Sequence, residues 1–214
     1  MNLRDEGVKE LAALKKLTTL NLYAVPITDV TLKELATLPS LVNLDLGNVV
    51  GITDEGVKGL AAIKSLVNLK LPNTATGDAG LKELAKLPNL ESLDLKSTYA
   101  TEAGVKELAA LKSLKSLRLD GLPVRDAGLK ELATLPNLAT LGLAGTQVTD
   151  AGVKELAALK KLTALDLSGT AMTDAGAKEL AALKGLKTLR VGAKVTEAAA
   201  KALRKSLPNC TITN

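Results

Sequence analysis

A row of charged residues recurs along the chain with alternating sign: Asp45, Lys70, Asp94 and Arg118, then, past Gly142, Asp166 and Arg190. Successive members stand 24 residues apart, with one step of 25 between Asp45 and Lys70. Charges set side by side in this way can pair with one another or read a partner of complementary pattern. Acid–base catalysis finds little support around them. The chain has no His, the usual general base near neutral pH. Its single Cys210 excludes an internal disulfide and any multi-cysteine metal site, and no cofactor is expected. Gly7, Gly56, Gly80, Gly104, Gly128, Gly152 and Gly176 all hold one repeated position, which argues for close packing rather than a phosphate-cradling loop.

The elements that carry this row repeat with it. L-x-x-L-x-L appears as LTTLNL at 17, LVNLDL at 41, LVNLKL at 66, LESLDL at 90, LKSLRL at 114, LATLGL at 138, LTALDL at 162 and, in modified form, LKTLRV at 186. The extra residue falls in GNVVG, 47–51. A degenerate ninth copy, LPNCTI, starts at Leu207 and places Cys210 at its second leucine position, in the core. Between these lie copies of D-x-G-[LVA]-K-E-L-A, nine in all with the variant EAAAKALR at 197. The last two leucines of the first half alternate with polar residues, as in a half-buried strand. In the second half Val153, Leu156, Ala157 and Leu159 share one helical face. Thr149 is placed to cap that helix, Asp150 stands where the helix dipole favours an anion, and Lys160 and Lys161 follow its last turn.

A strand, a turn and a short helix in 24 residues can bury their leucines only against the next copy. The expected fold is an α/β solenoid over residues 1–214, one domain, with a parallel sheet on the concave face and helices on the convex face. Apolar residues make up 46% of the chain, enough for a continuous core, but Phe and Trp are absent, which suits a core of repeated small layers.

These repeats resemble the leucine-rich repeat family across essentially the whole chain. DAGAKELA at 174–181 is similar to the GALA and ribonuclease-inhibitor-like subgroup. The resemblance implies a horseshoe whose concave sheet commonly binds other proteins. Many members carry Asn or Cys three residues after the last strand leucine, bonding along a ladder. Here Thr74, Thr98, Thr146 and Thr170 take that place, with Val25 and Leu122 in other copies, so the ladder should be broken. The cysteine-rich caps of secreted members are absent, which favours a reducing cytoplasm as the compartment.

On the concave face, the third strand position is small throughout: Thr19, Asn43, Asn68, Ser92, Ser116, Thr140, Ala164 and Thr188. The fifth position holds the alternating charges. The residue after the strand adds Tyr23, Lys96 and Asp120. Candidate partner contacts are therefore Tyr23, Asp45, Lys70, Asp94, Lys96, Arg118, Asp120, Asp166 and Arg190. The competing reading is an intramolecular ion-pair row that serves solubility alone.

A net charge of +5 permits an acidic partner or nucleic acid. The convex row Lys9, Lys33, Lys58, Lys82, Lys106, Lys130, Lys154 and Lys178 is, however, interleaved with Glu10, Glu34, Glu83, Glu107, Glu131, Glu155 and Glu179, which cancels a phosphate track. No stretch approaches a membrane span. The sequence thus points to a non-catalytic protein-interaction module or scaffold, binding an unknown protein and no nucleic acid or membrane. The alternative is a structural or self-associating repeat, and the narrow alphabet also permits an excised or engineered array. A monomer is expected unless Met1 to Leu3 and the first helix leave the edge of the first strand open for pairing.

Overall fold

The computed structural model describes residues 5–213. Among the described residues, nine strands form one parallel sheet in sequence order: β1 Thr19–Asn21, β2 Asn43–Asp45, β3 Asn68–Lys70, β4 Ser92–Asp94, β5 Ser116–Arg118, β6 Thr140–Gly142, β7 Ala164–Asp166, β8 Thr188–Arg190 and β9 Thr211–Thr213. The α-helices that alternate with them are α1 Asp5–Lys9, α2 Asp29–Leu35, α3 Asp54–Leu60, α4 Asp78–Leu84, α5 Glu102–Glu107, α6 Asp126–Leu132, α7 Asp150–Glu155, α8 Asp174–Leu180 and α9 Glu197–Ser206. Each helix packs on the next and each strand pairs with the next, as a solenoid requires. The question of whether Met1 to Leu3 cover the edge of β1 falls outside the described residues.

The register is the one that the leucines dictate. Leu44, Leu69, Leu93, Leu117, Leu141, Leu165 and Leu189 stand in line and are buried, while their strand neighbours face outward. The helices are shorter than the apolar pattern suggests. α7 stops at Glu155 and continues as a 3-10 turn over Leu156–Ala158, in which Leu156 is buried and Ala157 only half-buried. Thr149 caps α7 as expected, its hydroxyl accepting from the Ala151 amide at 3.3 Å. Lys160 donates to the carbonyl of Ala157 at 2.6 Å, capping the same element's far end.

Two turn features follow from backbone sterics. Shortly after each of β1 to β7 the chain passes through a left-handed residue, with Gly121, Gly145 and Gly169 at φ of 77°, 68° and 68°. Ala24, Asn48, Asn73 and Ser97 adopt the same conformation without glycine's freedom. In the five-residue loop 47–51, Val50 is turned outward and is 81% exposed, so the extra residue is absorbed without disturbing the strands on either side.

One expectation holds and one changes. The hydroxyls of Thr74, Thr98, Thr146 and Thr170 are buried but bond within their own repeat, to the carbonyls of Leu71, Leu95, Leu143 and Leu167 at 2.7–3.0 Å. They close a turn and tie no repeat to the next. The final unit is also out of phase. Ile212, not Cys210, stands opposite Leu189. Cys210 is half-buried beside the strand, where Lys187 stands one repeat earlier, and burial pushes its thiol pKa up.

The junctions between repeats are held by a device that the repeat pattern alone did not reveal. The aspartate that opens a helix accepts hydrogen bonds from the residue before the next helix. Asp126 takes the amide and hydroxyl of Thr149 at 2.8 and 2.6 Å, and Asp150 those of Thr173 at 2.8 and 2.7 Å. Asp5, Asp29, Asp78 and Asp174 do the same with Thr28, Thr53, Thr101 and Thr196. Asp54 takes the amide of Gly77, and the longer Glu102 reaches the amide of Gly128. This explains the glycine two residues into most helices. A Cβ on Gly104 would lie 2.5 Å from Oδ1 of Asp78 and 2.8 Å from its Cα.

Candidate functional site

The outer face of the sheet carries the candidate residues, and register aligns them as expected: Asp45 beside Lys70, Lys70 beside Asp94, Asp94 beside Arg118, and Asp166 beside Arg190. Two of these neighbours are ion pairs. Lys70 Nζ lies 3.2 Å from Asp45 and Arg190 lies 3.7 Å from Asp166. Arg118 instead turns to Asp120, two residues along its own chain, with Nε donating to Oδ2 at 2.9 Å. Partial burial disfavours the Arg118 cation. The charge of Asp120 and its hydrogen bond, with Asp94 and Asp166 farther off, outweigh that and raise its pKa.

Each carboxylate on this face has a local task. Asp45 accepts the amide of Gly47 at 3.0 Å, Asp94 that of Lys96 at 3.0 Å, and Asp166 accepts from the Ser168 amide and hydroxyl at 2.9 and 2.6 Å. These are Asx turns, in which the side chain stands in for a backbone acceptor as the strand ends. Four of strands β1 to β8 end without such an acceptor, in Lys70, Arg118, Gly142 and Arg190, and two of these are instructive. Where the strand ends in Lys70, the next turn residue is Pro72, which has no amide hydrogen to satisfy. Where it ends in Gly142, Asp120 of the preceding repeat supplies the acceptor, taking the Ala144 amide at 3.0 Å. Its carboxylate occupies the space that a side chain at Gly142 would need, 2.9 Å from where a Cβ would stand.

Asp120 was expected among the exposed contacts and is instead 4% exposed. It positions Arg118 and the β6 turn and offers no surface of its own. Tyr23 is half-exposed at the rim, with its hydroxyl bonded to Asn48, which in turn accepts from Asn73 at 2.5 Å. Tyr99 is exposed.

The small residues at the third strand position leave the face hollow. A depression of about 340 Å³ lies over β1 to β4, floored by Asn43 and Asn68, whose amides chain together at 2.6 Å. A second, of about 270 Å³, lies over β5 to β8 between Arg118 and Arg190, floored by Thr140, Gly142, Ala164 and Thr188. Among the described residues no cluster of three or more His, Cys, Asp or Glu side chains could hold a metal, and no helix is long and apolar enough to cross a membrane.

Comparison with known proteins agrees with this architecture. A family model described as leucine rich repeat matches residues 158–181, one repeat's length. Among solved structures, internalin C2 of Listeria monocytogenes is 25% identical, with a TM-score of 0.78 over 98% of this chain and 91% of that one. The fold also matches an internalin F of the same organism, 21% identical, with a TM-score of 0.71 over 96% of this chain and 63% of that one. No curated protein sequence matches. Neither match carries the GALA subgroup expected from DAGAKELA.

Proposed function

We propose that this leucine-rich repeat protein is a non-catalytic interaction module that holds another protein against the concave face of its sheet. One observation carries the reading. A parallel sheet is ordinarily covered on both faces, yet here only the leucine face is packed, and the other presents small polar residues and two depressions. Small residues along the third positions let a partner segment approach the strands. The longer side chains Lys70, Lys96, Arg118 and Arg190 stand around it. The convex face offers a weaker case, because its lysines and glutamates alternate over the helices and leave no field of one sign.

A random-peptide display selection against the whole chain tests this. The selected peptides should lose binding to Thr140→Trp and Ala164→Trp, which fill the concave floor, and keep binding to Lys130→Trp on the convex face. Peptides that ignore both concave substitutions and respond to Lys130→Trp would place recognition on the helices and overturn the reading.

A further inference from the structure

The concave charges balance in number but not in exposure: Lys70 is 58% exposed over Asp45 at 18%, and the same imbalance recurs over β5 to β8, where the cations are two guanidinium groups. Asp94, Asp120 and Asp166 are turned into the wall of the sheet by the amides of Lys96, Ala144 and Ser168. The side chains of Asp120 and Asp166 are 6% and 25% exposed, while those of Arg118 and Arg190 are 48% and 69% exposed, and Lys96 is exposed beside them. Asp120 is bonded to Nε, the inner nitrogen of Arg118, which leaves the outer edge of that guanidinium at the depression. A partner approaching the sheet meets the cations first and the carboxylates only beneath them.

We propose that the depression between Arg118 and Arg190 receives a carboxylate-bearing segment of the partner protein, an extended stretch rich in Asp or Glu. The proposal rests on the concave-face reading above and adds the chemistry of the occupant. Gly142 and Ala164 keep the floor clear, so acidic side chains can reach the two guanidinium groups, whose planar forks suit carboxylates. Thr140 and Thr188 offer hydroxyls alongside. The three cations are matched by three carboxylates below, so the site has no net field of the kind that tracks a long phosphate backbone. A short acidic peptide contacting individual side chains fits better than a nucleic acid.

The test is fluorescence anisotropy on the full chain, with a labelled peptide of alternating Glu and Ser and matched peptides in which Gln or Lys replaces Glu. The Glu peptide should bind and the other two should not. Arg190→Ala, whose side chain is the more exposed, should weaken binding about tenfold, as loss of one charged hydrogen-bonded contact does. Arg118→Ala should do at least as much, with unchanged circular dichroism showing that the fold survives, and the convex control Lys130→Ala should change nothing. Equal binding of the Gln peptide, an unaltered Kd in Arg190→Ala, or tighter binding of a single-stranded oligonucleotide would each overturn the proposal. If display-selected peptides bind the concave floor while the Glu peptide does not, the acidic occupant is wrong and the concave reading stands. If the selected peptides avoid that floor, the concave reading fails first.

Discussion

Two rows of carboxylates run along this solenoid at the same repeat spacing and do opposite things. The row at the helix starts reaches across each junction. Asp150, for example, accepts from the Thr173 amide, the Thr173 hydroxyl and the Gly176 amide of the following repeat, at 2.7–2.9 Å. The row at the strand ends turns back on its own repeat, as Asp94 does to the amide of Lys96. The first row welds neighbours together and has its charge consumed in doing so. The second fixes a local turn and adds at most an exposed ion pair to the next strand, as Asp45 does with Lys70, and the cations between its members remain exposed on the concave face. Identical chemistry at identical spacing becomes a weld between repeats in one place and a local turn in the other. What decides between them is whether the nearest backbone donors belong to the next repeat.

The sharpest way to break the contrast is through glycine. Gly104→Ala puts a methyl against the Cα and Oδ1 of Asp78 at a junction, and should cost about 2 kcal/mol in chemical denaturation, as overpacking against backbone does. Gly142→Ala on the concave face meets only the Asp120 carboxylate, at 2.9 Å, and should cost clearly less. Removing the carboxylates themselves comes next. Asp150→Ala should destabilise by about 1–2 kcal/mol, the scale for hydrogen bonds to a charged group at a partly exposed site, whereas Asp94→Ala should stay within about 0.5 kcal/mol.

Acid probes the junction row more gently. Burial raises the Asp150 carboxyl, but bonds from the Thr173 amide, the Thr173 hydroxyl and the Gly176 amide outweigh it and hold the pKa below the ordinary carboxylate value. Asp5 is likewise lowered by the Thr31 hydroxyl and by the amide and hydroxyl of Thr28, against its own burial. Because both folded pKa values are depressed, this stability is complete above the unfolded pKa of about 4 and is lost as pH falls through the folded values. Thermal unfolding below pH 4 should therefore show a shallower pH dependence in Asp150→Asn than in the parent. The smallest effect belongs to the exposed pair. Lys70→Ala should change stability by no more than about 0.5 kcal/mol, and high salt should erase the difference.

Much of this was legible in the sequence. The L-x-x-L-x-L spacing set the register and the outward positions of Asn43, Asp45 and Lys70, because a strand has only two faces. The cap at Thr149 was legible too, since its reach is two residues. The contacts between repeats were not. Asp150 at a helix start reads as a dipole partner for its own helix, and the fact that its oxygens face Thr173 depends on how closely helices stack. The clue was the pairing of T-D with a glycine two residues later, in copy after copy. Asp120 escaped for a similar reason: its role appears only when Gly142, one repeat on, is seen to lack the acceptor that Asp94 and Asp166 supply at the same position. Cys210 was misplaced because Leu207 looked like the first leucine of a strand. Counting from the helix start avoids the error, since Thr211 lies 14 residues after Glu197 and Thr188 lies 14 after Asp174.

The most direct measurement places a photo-reactive side chain at Thr188 on the concave floor or at Lys178 on the convex helices, and irradiates each protein with a display-selected peptide bound. Covalent adducts from position 188 and none from position 178 are the result this account predicts. Adducts from position 178 alone would contradict it, and would move the binding surface to the face where the charges cancel.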